Sequence, residues 1–208
     1  MATAFSDGAD FWNKRFDTPD YIFGRAPNEY LAQAKQYLKK GDAVLCVADG
    51  EGRNSVWLAK QGMQVDAFDL SEVALKKANA LATEQAAHVQ FTLASSDTWD
   101  WLPNQYDTVV GIFIQFADPV MRTRLFAQMA STLRPGGVLI VQGYTPKQLE
   151  YKTGGPSILE HLYTEDMIRA LIGDLEPIEL CLYQKELSEG PKHTGMSALL
   201  GLVARKPV

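Results

Sequence analysis

Short apolar runs alternate with longer segments of helical periodicity through the middle of the chain. The apolar runs predict five strands, at residues 43–48, 64–70, 88–94, 106–114 and 138–144. Between them, apolar residues recur at three- and four-residue spacing, which predicts helices at 53–61, 72–86 and 119–133. The connections are too long for hairpins, so the alternation predicts a mainly parallel, doubly wound sheet with helices on both faces.

The N-terminal part of the chain departs from this alternation. Aromatic and charged residues are mixed over 8–18, which predicts a short helix, and a loop is expected over 19–27. Apolar residues then recur at helical spacing from Tyr30 to Leu38. Pro27 suits the first position of that helix because its fixed φ is already helical.

The C-terminal part departs from it as well. Residues 145–163 are long and irregular, as functional lids often are, and we expect a lid on the acceptor side of a site. A helix is predicted over 164–173. The last two apolar segments, 178–190 and 194–206, have no helix between them, so they should pair antiparallel at a sheet edge. The predicted fold is therefore a seven-stranded, three-layer α/β/α domain.

Composition narrows the class of protein. With 208 residues, 46% of them hydrophobic, the chain fits one domain over 1–208. The net charge of -5 and the lack of a basic run disfavour a nucleic-acid partner. Cys46 and Cys181 form no CxxC motif, so we expect no metal site. No signal peptide or membrane-length apolar stretch is recognisable, so we expect a cytoplasmic protein without a membrane partner.

A glycine-rich turn, DGEGRN, joins the first strand of the alternating region to its first helix. Gly50 and Gly52 allow positive φ and let a ligand approach the backbone closely. The helix start presents free N–H groups, and Arg53 and Asn54 can hold a ligand carboxylate there or cap the turn. Ligands bind at this position in parallel sheets, although a tight turn needed only for packing is the alternative.

An acidic residue ends the second strand. Asp69 lies 19 residues after Gly50, and an acid in that position accepts hydrogen bonds from the two hydroxyls of a ribose. The alternative is that Asp69 caps the helix that follows, for which Ser71 is also a suitable N-cap. The spacing favours a nucleoside ligand.

The residues around the turn are poorly suited to a dinucleotide. The third glycine of the usual fingerprint is replaced by Ser55, and Asp49 would repel a pyrophosphate. Asp49 and Glu51 instead suit a ligand with a positive centre. S-adenosylmethionine is such a ligand, because it carries a sulfonium, an α-amino group and only one carboxylate.

Three segments resemble the class I S-adenosylmethionine-dependent methyltransferases. VLCVADGEGRNSVWLA is similar to their first motif, FDLSEVALKKA to their second, and LRPGGVLIV to the segment around their fifth strand. The resemblance implies a Rossmann-like fold whose last strand inserts antiparallel. It implies cofactor contacts at Ala48, Asp49, Gly50, Glu51, Arg53, Asn54, Asp69, Leu70, Ser95, Ser96 and Ile114.

Further segments resemble the tellurite-resistance and thiopurine-methyltransferase-like branch of that class. They are FWNKRFDTPDYIFGRAPNEYLA, GEGRNSVWLA, QLEYKTGGP and HTG. In that branch the N-terminal aromatic segment folds over the cofactor. The resemblance implies that residues 1–40 form a helical cap, with Tyr21 and Gly24 contacting the cofactor.

The sequence departs from the family pattern at four positions. Cys46 replaces the usual first acid of the first motif, and Ala48 replaces its first glycine. Ser95 stands where an acid commonly contacts adenine, with Ser96 or Asp97 as substitutes. Gln115 stands where many relatives have a histidine, and an amide cannot act as a base.

Methyl transfer from a sulfonium is an in-line displacement, so the protein mainly positions the reactants and excludes water. Soft acceptors such as a thiolate, selenide or telluride need little help from a base. His193, in the predicted loop GPKHTG, is the candidate catalytic residue, because histidine takes up a proton near neutral pH. An ordinary hairpin-loop histidine is the alternative, and Tyr144 and Tyr151 are candidate pocket residues.

The sequence thus predicts an S-adenosylmethionine-dependent methyltransferase acting on a small molecule, for example a thiol or a metalloid such as tellurite. A non-catalytic S-adenosylmethionine-binding protein of the same fold remains the alternative. A nicotinamide-dependent dehydrogenase is disfavoured by the missing third glycine. Aminopropyl transfer is disfavoured because no pair of acids is evident beyond Asp49 and Glu51. Neither the acceptor nor the oligomeric state can be read from the sequence.

Overall fold

A seven-stranded sheet forms the centre of the protein, with strand order β3-β2-β1-β4-β5-β7-β6. The computed structural model describes residues 5–208, with side chains from Gly8 onward. The first five strands run parallel, and β7 pairs antiparallel with both β5 and β6, as predicted. The strands are β1 (Ala43–Val47), β2 (Gln64–Asp69), β3 (Val89–Leu93), β4 (Tyr106–Ile112), β5 (Leu133–Tyr144), β6 (Glu176–Ser188) and β7 (Thr194–Arg205).

Helices cover both faces of the sheet, because alternate residues of a strand point to opposite sides. Leu45 and Val47 of β1 pack in a core cluster with the helices at 119–132 and 165–171, whereas Val44 and Cys46 pack in another cluster with those at 29–33 and 53–60. This is the predicted three-layer arrangement. The helices are α1 (Phe5–Phe16), α2 (Glu29–Gln33), α3 (Arg53–Lys60), α4 (Glu72–Glu84), α5 (Pro119–Thr132), α6 (Gln148–Tyr151) and α7 (Glu165–Leu171).

Side-chain caps start several of these helices. The Ser71 hydroxyl accepts a hydrogen bond from the Ala74 N–H at 3.1 Å, and the Thr164 hydroxyl accepts one from Met167 at 3.2 Å. At each of these helix starts, the cap therefore satisfies one N–H group that has no partner within the helix. Within the described part of the chain, no helix is both long and apolar enough to cross a bilayer.

Several predicted boundaries differ from the structure. Helix α2 begins at Glu29 rather than Pro27, because the Asn28 side chain caps it by accepting from the Leu31 N–H at 3.0 Å. The helix ending near 133 is not separated from the next strand by a loop: β5 begins at Leu133, and the PGG segment lies inside it next to a β-bulge. Residues 145–163 contain the short helix α6 and a 3₁₀ turn at Leu159–His161.

Candidate functional site

The turn after β1 has three residues with positive φ: Ala48 at 48°, Gly50 at 64° and Gly52 at 87°. A Cβ on Gly52 would lie 2.8 Å from the Ala78 Cβ, so this glycine lets α3 pack closely against α4. A Cβ on Gly50 would lie 3.5 Å from the Phe16 ring. Packing therefore accounts for Gly52, whereas Gly50 faces the aromatic residues of α1 at the carboxyl edge of the sheet.

Asp69 connects the two loops at this edge. Its carboxylate is buried and accepts hydrogen bonds from the Gly50 N–H at 2.9 Å and the Ser71 N–H at 2.8 Å. Burial raises the pKa of Asp69 to about 6, against the opposing effect of these backbone donors. An ionised carboxylate has about four acceptor positions, so it can bond both backbone groups and still accept from a ligand's hydroxyls.

The other two acids of the turn differ in their surroundings. Asp49 accepts a hydrogen bond from the Ser55 hydroxyl, and burial raises the pKa of Asp49 to about 7. Glu51 is buried, pairs with the Lys77 ammonium at 2.5 Å and accepts from the Phe23 N–H at 3.4 Å. Glu51 thus holds the N-terminal part of the chain to α4. Asp49 remains the acid available for a positive centre.

Arg53 and Asn54 are engaged within the protein. The Arg53 guanidinium lies 2.8 Å from the Glu189 carboxylate in a buried ion pair. The Asn54 side-chain oxygen accepts from the Asn28 N–H at 2.9 Å, and the Asn28 amide donates to Gln142 at 2.6 Å and to Glu189 at 3.0 Å. This network joins the start of α3 to the end of β6. The predicted cofactor-carboxylate contact of Arg53 and Asn54 stays a prediction.

Residues 17–28, here called the N-terminal strap, cross the carboxyl edge between α1 and α2. The Tyr21 hydroxyl donates to the Lys77 carbonyl at 3.0 Å. The Lys77 ammonium donates in turn to backbone carbonyls of the chain just before and within the strap, those of Phe16, Thr18 and Asp20. The strap is therefore fixed to α4 through one lysine.

The strap also contacts the loop between β6 and β7. The Lys192 N–H donates to the Ile22 carbonyl at 3.0 Å. A Cβ on Gly190 would overlap the backbone at Gly24, so the two segments touch at glycine positions. Tyr21 and Gly24 thus lie in a covering segment, and their contacts with a cofactor stay predictions.

The remaining predicted contacts fall in different environments. Leu70 lies beside α1, 3.6 Å from where a Cβ on Gly8 would be. The Ser95 hydroxyl accepts from backbone N–H groups of its own turn, whereas the Ser96 hydroxyl is buried without a partner in the described residues. Ile114 is fully buried in the core cluster against α5. Ser96 is therefore better placed than Ile114 to bond a ligand.

An aromatic cluster, formed by Phe23, Phe113, Tyr144 and His193, lies where the strap meets the β6–β7 loop. The His193 ring centroid is 4.4 Å from that of Phe23, 4.3 Å from that of Phe113 and 5.9 Å from that of Tyr144. His193 is only 7% exposed and Tyr144 only 1%. Among residues 8–208, neither the His193 Nδ1 atom nor the Tyr144 hydroxyl makes a hydrogen bond of normal geometry, although the nearby Ser197 hydroxyl acts to lower the pKa of Tyr144.

Both polar members of the aromatic cluster are uncharged at neutral pH. Burial lowers the pKa of His193 to about 3, and the positive charges of Arg53 and Arg15 act in the same direction. Burial raises the pKa of Tyr144 above its ordinary value. His193 is thus a weak base here, better suited to hydrogen bonding than to taking up a proton.

The Gln115 side chain holds the backbone next to the aromatic cluster in place through hydrogen bonds. Its amide nitrogen donates to the carbonyls of Tyr144 at 2.9 Å and His161 at 2.8 Å, and its oxygen accepts from the Tyr144 N–H at 2.5 Å. This side chain ties the end of β4 to the end of β5. It has no free group left for proton transfer.

Sequence reasoning missed three residues of this region. Lys77 is one of two adjacent lysines, and nothing in the sequence distinguishes it from Lys76. Glu189 gives no local signal, because its partners are more than 130 residues away in the chain. Phe113, with a φ of 57°, lies near the carboxyl end of the predicted strand 106–114 and could have been found by considering every residue at the carboxyl ends.

Comparisons with known proteins agree with this geometry. Residues 44–137, just under half of the chain, match the family described as "Methyltransferase domain". The chain is 31% identical over 166 residues to the ribosomal protein L11 methyltransferase of Campylobacter concisus, covering 78% of this chain and 52% of that protein. It spans about half the length of the curated relatives it matches.

Solved structures share the whole fold. An S-adenosylmethionine-dependent methyltransferase from Methanosarcina mazei has a TM-score of 0.70 at 18% identity, covering 88% of this chain and 99% of that one. TehB from Haemophilus influenzae has a TM-score of 0.67 at 17% identity, covering 95% of this chain and 66% of that one. The fold is thus the one seen in these methyltransferase structures, and residues 44–137 match the methyltransferase-domain family.

Proposed function

We propose that the whole protein transfers a methyl group from S-adenosylmethionine to a small-molecule acceptor. The observation that carries the proposal is that the aromatic cluster is covered. Phe23 of the strap lies on His193, and the hydrogen bond from Lys192 to Ile22 joins the strap to the β6–β7 loop. A protein substrate would have to displace this cover throughout the reaction, whereas a small molecule needs only a transient opening.

The residues of the glycine turn fit the cofactor. Asp69 has acceptor positions left for the ribose hydroxyls, and Asp49 can face a positive centre. The buried, unpartnered Ser96 hydroxyl can accept from the adenine amino group. When bound, S-adenosylmethionine supplies a methyl group on a sulfonium, which is already activated for displacement.

A thiol or a metalloid such as tellurite is the acceptor class that we favour. Its support is the resemblance of the segments QLEYKTGGP and HTG to the tellurite-resistance-like branch, together with the lack of a strong base in the aromatic cluster. The curated relative is named for methylation of a ribosomal protein. The covered site favours a small acceptor for this chain instead.

A non-catalytic binding protein is the second candidate. Cys46 replaces an acid and is buried in the core, where it contributes packing rather than charge. Gln115 is fully occupied in bracing the two strands. Such a protein would bind the cofactor and show no turnover with any acceptor.

Calorimetric titration tests the cofactor site first. We expect S-adenosylmethionine and its demethylated product to bind and NAD not to bind. Asp69→Ala should weaken binding about 10- to 100-fold, because hydrogen bonds to a charged group contribute roughly 1.5–3 kcal/mol. Asp66→Ala is the matched control: it lies on the same strand, but its carboxylate accepts from the Tyr106 hydroxyl instead.

The outcomes separate the candidates. If the unmodified protein binds neither S-adenosylmethionine nor its product, the cofactor assignment is wrong. If both bind, formation of the demethylated product is measured with thiols, amines and tellurite. Turnover with one of them supports the enzyme, and binding without any turnover supports the non-catalytic candidate.

A further inference from the structure

We propose that the acceptor binds as an anion of the thiolate class, held by two neutral hydrogen-bond donors, the Tyr144 hydroxyl and the His193 Nδ1–H. The inference rests on the proposed function and adds to it the charge state of the acceptor and the groups that bind it. No protein base is needed in this scheme, because the acceptor arrives already ionised.

The first observation is the pair of unpartnered polar atoms. The Tyr144 hydroxyl and His193 Nδ1 are both buried, and neither makes a hydrogen bond of normal geometry among the described residues, although their rings lie edge to face, 5.9 Å apart. Leaving a polar group buried and unpaired costs about 1–3 kcal/mol. Two such groups in one cluster indicate a ligand that satisfies them together.

The second observation is the close packing of two glycines against Tyr144. A Cβ on Gly154 would lie 3.2 Å from the Tyr144 hydroxyl, and a Cβ on Gly155 would lie 2.6 Å from the Tyr144 ring. Any other residue at these positions would press on the ring. The glycine pair thus lets residues 154–155 lie directly on the buried Tyr144, so a ligand reaches the hydroxyl only when this segment or the strap moves.

The third observation is the charge around the cluster. Arg15 of α1 and Arg53 of α3 both place positive charge near His193. Arg53 is paired with Glu189, whose negative charge acts on Tyr144 with the opposite sign, so these two charges largely cancel. Arg15 leaves an excess of positive charge near His193, which would repel a protonated amine and attract an anion.

A soft anion suits the apolar part of the cluster. The rings of Phe23 and Phe113 enclose His193 and exclude water, which favours a polarizable, weakly hydrated sulfur over an oxygen anion. The acceptor sulfur forms the new bond to the methyl carbon with its own electron pair. The bond from that carbon to the sulfonium sulfur breaks, and its electron pair stays with the departing sulfur. An anion and a cation become two neutral thioethers, and no proton is transferred.

The test is the ionisation of a bound thiol, with 4-nitrothiophenol as the probe because its thiolate absorbs visible light. The probe is titrated across pH in the presence of the protein saturated with demethylated cofactor. We expect its pKa to fall by about one unit or more on binding. Tyr144→Phe and His193→Phe should each remove much of this shift while keeping an aromatic ring in place.

Tyr163→Phe is the matched control, because the Tyr163 hydroxyl is also buried and unpartnered but lies in the core against Phe126. It should leave the shift of the probe unchanged. The inference is overturned if the probe does not bind, if its pKa is unchanged or raised on binding, or if Tyr163→Phe reduces the shift as much as Tyr144→Phe does.

Kinetics separate this inference from the proposed function. With two thiols of different acidity, the rising limb of kcat/KM against pH should move with the pKa of each thiol. A limb at one fixed pH for both thiols would indicate a protein base and overturn the inference. If the thiolate probe binds and no acceptor is methylated, the proposed function fails and the anion site stands. If amines are methylated and the probe does not bind, the protein is a methyltransferase and the anion site is wrong.

Discussion

Two carboxylates of the site, Asp49 and Asp69, are held in surroundings that oppose their ionisation. Burial raises the pKa of both, to about 7 for Asp49 and about 6 for Asp69, and the charge on Asp69 adds to the effect on Asp49. A ligand with a positive centre beside Asp49 would reverse this effect for that residue. Ionising either acid therefore costs stability in the empty protein.

Replacing Asp49 by Asn should stabilise the protein in a pH-dependent way. Between about pH 4 and 7 the unfolded chain ionises Asp49 while the folded protein keeps its proton, so stability is lost as pH rises through this window. Asp49→Asn should therefore raise the free energy of unfolding by roughly 3 kcal/mol at pH 8 and by little at pH 4. Urea denaturation at both pH values measures this. An equal gain at both would contradict the expectation.

The same variant should bind S-adenosylmethionine more weakly. If the Asp49 carboxylate faces the positive part of the ligand, binding at pH 7 draws a proton off Asp49, and the protein releases it to the buffer. Calorimetry in buffers of different ionisation enthalpy measures that proton. In Asp49→Asn the release should disappear and the affinity should fall about tenfold. Release that persists in the variant would assign it to another group.

For single residues, the sequence predicts a role in the site where that role depends on the position of the residue in its own strand or turn. Asp69 ends a strand and follows the glycine turn at a recognisable spacing, so its place at the edge could be predicted. Glu51 could not be assigned, because its partner Lys77 comes from another helix. The weak basicity of His193 could not be predicted from the sequence either, because it depends on burial under a segment 170 residues away in the chain.

Among the elements, the contact between α3 and α4 depends on one glycine. Gly52→Ala combines a positive φ with a Cβ that would lie 2.8 Å from the Ala78 Cβ. Gly41→Ala is a matched control, because Gly41 has a similar φ of 93° but open space around it. We expect a loss of about 1 kcal/mol for the control and about 3 kcal/mol for Gly52→Ala. Equal losses of stability in thermal unfolding would mean that α3 can move away from α4 without a cost in free energy.

The attachment of the strap to α4 depends on one lysine. Lys77→Met removes the partner of buried Glu51 and the donor to three strap-side carbonyls, so the strap should become mobile. Amide exchange in residues 17–28 should accelerate at least tenfold. Lys76→Met, which disrupts only an exposed pair with Glu72, should leave exchange there unchanged. Similar exchange in both variants would show that other contacts hold the strap.

Elements were predicted from periodicity with most errors at their ends. The alternation of strands and helices predicts the order of the elements along the chain, and that order agrees with the structure. The start of β5 was missed because proline and glycine usually end a strand, whereas here they lie at a bulge. A bulge depends on the neighbouring strand and leaves no mark in the local pattern.

For the molecule as a whole, the antiparallel pair β6–β7 completes the site. The parallel strands provide the glycine turn and Asp69, and the hairpin brings Glu189 and His193 to the same edge. The mainly parallel sheet with an antiparallel last strand followed from the sequence and the family resemblance. The meeting of Phe23, Phe113 and His193 did not, because no spacing relates three residues from three distant segments.

A ligand that binds only the folded protein should stabilise all of it. At a concentration 100 times its dissociation constant, the demethylated cofactor contributes about 2.7 kcal/mol. For a chain of this size, that should raise the melting temperature by roughly 5–10 °C. The Asp69→Ala variant should show a much smaller rise under the same conditions. A rise of equal size in that variant would place the ligand elsewhere.

The strap touches both halves of the site, through Lys77 on the cofactor side and Lys192 on the acceptor side. Under the proposed function, both ligands would enter and leave beneath the same segment. Both products can leave only when the strap opens, so product release rather than methyl transfer should limit the rate of turnover. The first catalytic cycle would then run faster than every later one, and a burst of product would precede the steady state.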